Sequence, residues 1–437
     1  MEGTSRLPLF PLTAGVNSRG TLVIGGCDTV ALAAEFGTPL YVFDEIGLRR
    51  KCAEFKHEFG QRYADTRVIY ACKAFVNRAL AVILEAEGLG LDVVSGGELG
   101  IAQSAGLPPD RVYFHGNNKS AAEIRQALDW GVGRIVVDNF QELTLLDEIA
   151  GETGVSADIL LRLSPAVDPH THQYIATGVL DTKFGFPLAS GEAAIAQAMS
   201  LSNLKLVGLH FHVGSLIPDS EPYRKAIEVV LNLAAGMKQR RGFELRELNV
   251  GGGFAVQYVM DCPVPPVAYY AEEITSQLAA KSRELEMTLP RLIIEPGRAI
   301  VGQAGVALYT VGVVKDIPGV RRYVSVDGGM ADNIRPALYG SAYEAVLANK
   351  MLAPEGDKVT VAGRFCESGD ILLRDFGLPS VSPGDVLAVP CCGAYCLPMA
   401  SNYNAALKPA VVMVKEGKAR LIRRREIPED LTRCDLD

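Results

Sequence analysis

Several things are missing from this 437-residue chain, and each absence narrows what it can be. No apolar run approaches the roughly 18 residues that crossing a bilayer requires. No block of like charge occurs: 43 Lys and Arg face 51 Asp and Glu, for a net charge of −8. That balance excludes a nucleic-acid footprint or a polybasic membrane anchor and leaves small molecules as the natural partners. Repeats, linkers and low-complexity tracts are absent. The start, Met1 to Leu12, holds Pro8 and Pro11, which break its only candidate apolar stretch before it could act as a secretory signal, so a soluble cytoplasmic protein is expected. Nine scattered cysteines do not form a disulfide framework. Cys391, Cys392 and Cys396 lack a second matching pair, and the six histidines lack ligand spacing, so no metal site is expected and these read as buried thiols.

What is present reads as two domains, since the length exceeds an average domain of roughly 150 residues. Eight short β-branched and aliphatic runs lie between positions 67 and 297: Arg67 to Ala74, Leu89 to Ser95, Arg111 to Gly116, Arg134 to Asn139, Asp158 to Ser164, Leu206 to Gly214, Glu247 to Gly253 and Arg291 to Gly297. Continuous apolar stretches such as R-I-V-V-D and D-I-L-L-R-L suit strands covered on both faces. Helical patterns such as Asn77 to Glu87 and Pro222 to Arg241 separate them. Eight alternating strands predict a (β/α)8 TIM barrel over 45–304. Beyond it, short strand-like runs punctuated by Gly and Pro predict an all-β domain, a β-barrel or sandwich, over 305–437. The N-terminal segment 1–44 is expected to join that domain, adding a strand from Gly20 to Ile24, with G-x-P-L-Y-V-F at 37–43 entering the barrel.

The strand ends carry chemistry: Lys73, Asp92, His115, Asp138 with Asn139, Arg162, His212, the triplet Gly251, Gly252 and Gly253, and Glu295. Barrel active sites lie at that end. Lys73, in V-I-Y-A-C-K-A-F, is placed where the barrel floor would desolvate it and leave it nucleophilic, able to form a Schiff base. The glycine triplet and Glu295-Pro296-Gly297-Arg298 follow the last two strands, where barrels bind phosphate. Pyridoxal 5'-phosphate needs a lysine, a phosphate cradle, an acid for its ring nitrogen and a group against its face. Lys73, Ser215 with the glycines, Glu295 and His212 supply these in turn, although His210 and His212 share one strand face and both could point inward.

Eleven ordered motifs also carry a family likeness. They are Y-A-C-K-A at 70–74, D-V-V-S-G-G-E-L at 92–99, H-G-N-N-K-S at 115–120, D-P-H-T-H-Q-Y-I-A-T-G at 168–178, K-F-G at 183–185, H-F-H-V-G-S at 210–215, G-G-G-F at 251–254, E-P-G-R at 295–298, D-G-G-M-A-D-N-I-R-P-A-L-Y at 327–339, C-E-S-G-D at 366–370 and G-A-Y at 393–395. Over nearly its whole length the chain resembles the diaminopimelate decarboxylases, in the alanine-racemase-like, fold-type III class of pyridoxal-phosphate enzymes. The resemblance implies a homodimer with active sites shared between one subunit's barrel and the other's β domain.

It further implies that Lys73 binds the cofactor, His212 stacks on the ring and Glu295 pairs with its nitrogen. Gly251, Gly252, Gly253, Ser215 and the backbone of Glu295, Pro296, Gly297 and Arg298 would hold phosphate, with Asp92 also in the cofactor set. Cys366, from the partner subunit, would be the general acid. Arg298, Arg335, Tyr339 and Glu367 would grip the far end of the substrate, and Tyr395 would touch cofactor and substrate. Phe75 and Leu216 stand where the family commonly has Asn and Gln.

The expected activity is that of a carboxy-lyase converting meso-2,6-diaminopimelate to L-lysine and carbon dioxide, the last step of lysine biosynthesis. Arginines near the distal site suit a substrate with a second carboxylate. A related decarboxylase acting on carboxynorspermidine or another diamino acid is the alternative, with a racemase or a non-catalytic pyridoxal-phosphate carrier more distant.

Overall fold

The computed structural model describes residues 2–165, 167 and 182–436. The motif at 168–178 lies outside the described residues. The chain divides into two compact units, one of Met1–Lys51, Val256–Pro263 and Arg298–Asp437, the other of Cys52–Ala255 and Val264–Gly297. The 256–263 segment, inside the stretch expected to be barrel, therefore clusters with the β-rich unit.

In the second unit eight parallel strands close on themselves: β1 (Thr66–Ala71), β2 (Gly90–Val93), β3 (Val112–Phe114), β4 (Arg134–Val137), β5 (Ala157–Ser164), β6 (Leu204–Phe211), β7 (Glu247–Asn249) and β8 (Arg291–Ile294). Closure comes from β8 pairing with β1, Leu292 beside Thr66 and Ile294 beside Val68, and from β4 pairing with β5. The expected TIM barrel is present. Ile69, Tyr113, Val136, Leu160, Val207 and Ile293, from six strands, meet in one buried cluster, so the centre is a packed core rather than a pore. Most of the expected strand runs extend a few residues past the ends of the ladder. Those extra residues, Lys73 and the glycine triplet among them, form the loops at the C-terminal mouth.

Helices begin promptly after several strands because polar residues cap them. The side chains of Asn77, Ser95, Ser120 and Asn139 accept hydrogen bonds from Leu80, Glu98, Glu123 and Glu142 N–H. Asn139 thus serves its helix, and Asp138 accepts from Gly185 N–H at 2.9 Å, so this pair is structural.

The first unit contains a 9-stranded, mostly antiparallel sheet. Leu40–Asp44 lies between Gly305–Ile317, antiparallel to it, and Ala410–Lys415, parallel to it. The N-terminal segment therefore contributes its strand to this sheet through L-Y-V-F, which pairs here instead of entering the barrel. Leu22–Ile24 joins a separate small sheet instead, its side chains packing into the same hydrophobic core.

The other mouth of the barrel is closed by charge. Arg134 on β4 reaches Glu247 on β7 through Nε at 2.9 Å and Nη2 at 2.7 Å, and Arg291 approaches Glu247 at 3.5 Å. Glu247 is buried, and truncating it removes the carboxylate the two guanidinium groups share, leaving Arg134 to Asp158 at 3.2 Å and Arg291 to Asp65 at 2.8 Å. Because both arginines keep an acid, Glu247→Ala should cost about 2 kcal/mol. Differential scanning calorimetry should show a melting midpoint lower by roughly 4 °C, while turnover per folded molecule stays native because the pair sits at the strand starts, away from Lys73.

Candidate active site

Lys73 sits on a single 3-10 turn, Cys72–Ala74, that follows β1. That turn lifts the side chain out of the ladder, so Lys73 is exposed rather than desolvated on the barrel floor. Ala71 N–H donates to Pro296 O at 3.4 Å, and a Cβ on Gly297 would meet Ala71 O at 3.0 Å and Ala74 Cβ at 3.1 Å. The lysine turn and the E-P-G segment are thus packed backbone against backbone.

Glu295, at the end of β8, is 5% exposed and surrounded by donors. Asn249 Nδ2 donates to Oε1 at 2.7 Å; His115 Nε2 lies 2.9 Å from Oε1 and His210 Nε2 lies 3.4 Å from Oε2. Burial alone would raise the carboxyl, but the two imidazoles outweigh it and hold it well below the ordinary carboxylate range. Asp92 Oδ1 stands 3.7 Å from the same His115 nitrogen. Burial presses His115 down, yet Asp92 and Glu295 prevail and raise it above the usual imidazole value. Burial takes His210 to about 4, so it is neutral near pH 7.

The ring of His212 is fixed by Gly252 N–H, which donates to Nδ1 at 3.2 Å. Burial first, then the charges of Lys73 and Arg162, hold His212 well below the ordinary value. An uncharged imidazole is suited to packing against an aromatic face. Ser215, half-buried, follows on the same loop. That loop is tied to the glycine triplet through Ile217 N–H donating to Gly253 O at 2.9 Å.

The triplet departs from expectation in one respect. Gly251 N–H is taken by Asn249 Oδ1 at 2.9 Å and Gly252 N–H by His212, so two of the three donors expected for phosphate serve the site's own side chains. Among the described residues, only Gly253 of the three keeps its N–H unengaged. Its φ of 108°, with a would-be Cβ 2.4 Å from Gly214 O, requires glycine.

These residues fit pyridoxal phosphate. Asp92 Oδ1, His115 Nε2 and both His210 nitrogens are buried without an aligned hydrogen-bond partner, and all belong to the cluster around Glu295. A polar heteroaromatic ring bound there would meet an acceptor carboxylate beside an unengaged backbone donor at Gly253.

In the first unit, Arg298 is buried, donates to Tyr258 Oη at 2.7 Å and lies 4.4 Å from the Tyr395 ring centroid. Tyr395 has φ 60°, a left-handed backbone for a bulky residue. Arg335 is 2% exposed, hydrogen-bonded to Tyr343 and stacked 4.5 Å over Tyr258; its Nε has no partner. Sequence reasoning missed both tyrosines, because neither falls in a motif. Tyr339 ends the short helix Arg335–Tyr339 and is half-buried. Glu367 accepts from Tyr403 Oη at 2.7 Å, and so is engaged apart from Arg335.

Cys366 is exposed, its N–H donating to Asn404 Oδ1 at 3.0 Å. Its loop is organised by Asp370, which accepts from Phe365 N–H at 2.9 Å and Met330 N–H at 2.7 Å. A Cβ on Gly329 or Gly363 would lie 2.4 Å or 2.1 Å from that carboxylate. C-E-S-G-D and D-G-G-M therefore form one tied pair of loops. Cys366 lines a cavity of about 550 Å³ with Thr38, Asp327, Arg364 and Asn404.

Comparisons with known proteins agree with this geometry. Residues 46–302 match the pyridoxal-binding domain of pyridoxal-dependent decarboxylases. A diaminopimelate decarboxylase of Halalkalibacterium halodurans is 46% identical over 98% of this chain and 98% of its own; that of Bacillus subtilis is 46% identical over 97% of each. The crystal structure of diaminopimelate decarboxylase from M. jannaschii in co-complex with L-lysine superimposes with a TM-score of 0.92 at 35% identity, covering 98% of both chains. With a barrel that places a lysine, a buried imidazole and a buried carboxylate at one mouth, and relatives matched end to end, the chain belongs to the diaminopimelate decarboxylase family of pyridoxal-phosphate-dependent enzymes.

Proposed function

We propose that this protein removes a carboxylate from meso-2,6-diaminopimelate as carbon dioxide and releases L-lysine. The observation that carries the reading is Glu295, a buried carboxylate held by Asn249 at 2.7 Å and His115 at 2.9 Å at the barrel mouth that also carries Lys73 and His212. Pyridoxal phosphate, when bound, supplies a protonated ring that draws off the electron pair left as carbon dioxide departs. Lys73 anchors it. His212 packs against its face, held by Gly252, and Glu295 keeps the proton on the ring nitrogen. Gly253 N–H, Ser215 and the backbone from Glu295 to Arg298 receive the phosphate, while Gly251 and Gly252 support the site through Asn249 and His212.

Cys366, contributed by the partner subunit of a homodimer, returns a proton to the α-carbon. Its exposed position on a braced loop in a single chain supports this role. Arg335, Tyr339 and Glu367 recognise the distal end of the substrate, and Tyr395 and Arg298 bridge cofactor and substrate. A buried guanidinium with an unpartnered Nε fits a substrate bearing a second carboxylate. Within this reading the enzyme is cytoplasmic; among the described residues no helix is long and apolar enough to cross a membrane.

Three measurements test the proposal. Carbon dioxide release assayed across diamino acids should rank meso-diaminopimelate far above lysine and ornithine, and superior turnover of either would overturn the substrate assignment. Borohydride reduction of the holoenzyme followed by peptide mapping should place the cofactor on Lys73 alone. Mixing inactive Lys73→Ala with Cys366→Ala should restore roughly a quarter of native activity, since half the dimers of a random mixture carry one intact site of two. No recovery after verified subunit exchange would place Cys366 and Lys73 within one chain's site.

A further inference from the structure

The arrangement around Glu295 holds more than a binding carboxylate requires. A carboxyl this deeply buried would ordinarily take up a proton, and a neutral carboxylic acid would not hold a proton on a ring nitrogen. Three side chains from three strands prevent that. Asn249, next to the end of the barrel at β7, and His115, just beyond β3, converge on Oε1 at 2.7 and 2.9 Å, while His210 on β6 faces Oε2 at 3.4 Å. His115 also stands 3.7 Å from Asp92, placing it between two carboxylates, and its ring meets that of His210 edge to face at 4.9 Å.

We propose that His115 and His210 are positioning residues for the reaction: His115, carrying a positive charge between Asp92 and Glu295, keeps Glu295 ionised, and neutral His210 fixes the direction of its second oxygen. The inference rests on the reading that Glu295 pairs with the cofactor's ring nitrogen. Neither histidine touches substrate or cofactor in this account; both act through Glu295.

The surroundings of His115 support its charge. Among the charged and titratable groups that act on it, Asp92, Glu295 and Glu98 favour the cation, while Arg162 and any charge on His210 oppose it. Lys73 acts on Asp92, Glu98 and His212. Two carboxylates, at 2.9 and 3.7 Å from one imidazole nitrogen, outweigh a single guanidinium and favour the cation. The same field leaves His210 neutral, because a second charge there would be buried beside the first.

The test is a double-mutant cycle read by nitrogen NMR and by steady-state kinetics. Holoenzymes of the native protein, His115→Gln, Glu295→Gln and the double variant are reconstituted with pyridoxal phosphate labelled with nitrogen-15 in the ring. In His115→Gln, which keeps a donor and loses the charge, the ring-nitrogen signal should move toward the unprotonated form. Its kcat should fall about tenfold, equivalent to one pKa unit of lost stabilisation, with KM little changed. The double variant should match Glu295→Gln within about twofold, because His115 has nothing left to act through.

An unchanged ring signal in Glu295→Gln would overturn the pairing of Glu295 with the ring, and the inference with it. A shift in Glu295→Gln but none in His115→Gln, or losses that simply multiply, would overturn the role of His115 alone. Native protein labelled in its histidines supplies a reading that depends on no variant folding: His115 should be doubly protonated and His210 neutral at pH 7. A neutral His115 there would overturn the proposal, as would a charged His210.

Discussion

The pairing of β8 with β1 is the contact on which the catalytic mouth depends. Lys73 and Glu295 are far apart in the chain, and nothing local draws them together. When Leu292 and Ile294 take their places beside Thr66 and Val68, the two strands end side by side and their following loops are forced into contact. Gly297 then packs on Ala71 and Ala74 where a methyl group would be crowded, so glycine in E-P-G is set by the closure of the barrel as well as by any ligand. Parallel strands leave all their C-terminal ends at one mouth, and the remaining strands add His115, His210, His212 and the glycine loop to the same rim.

A mouth assembled this way concentrates charge where water is scarce. Asp92, His115, Arg162, His210 and Glu295 are each at least mostly buried, and such a set persists only when opposite charges alternate. The perturbed values follow that logic: Glu295 is held down by neighbouring imidazoles, His115 is raised by two acids, and His210, with no room for another charge, is driven to neutrality. At the opposite mouth Arg134, Arg291 and Glu247 are matched bidentately or nearly so and have no unpartnered atoms among them. The contrast separates the two ends: charge at the strand starts is satisfied, while the strand ends retain polar atoms without aligned partners.

In the β-rich unit the organising device is a carboxylate used as a backbone clamp. Asp370 ties the Cys366 loop to the loop of Met330, and two glycines flank it because side chains would occupy the carboxylate's space. Arg335 is treated differently. It is enclosed by Tyr258 and Tyr343, whose hydroxyl and ring faces replace the water a guanidinium would otherwise need.

Strand and helix alternation, the eight barrel strands and the chemistry at their ends were readable from the sequence, because buried parallel strands must be apolar along their length and the residues that follow them are then conspicuous. The motifs added the family, the cofactor and the type of reaction. Strand ends were overestimated, since V-I-Y-A-C-K-A-F stays apolar through Cys72 although the closed ladder releases the chain at Ala71. The employment of Gly251 and Gly252 N–H groups was also hidden, as was the enclosure of Arg335 by tyrosines outside any motif. So was the convergence of His115, His210 and Asn249 on one carboxylate. A sequence shows which groups follow which strand, but which groups face one another across a barrel depends on closure, register and burial, and these are properties of the folded chain alone.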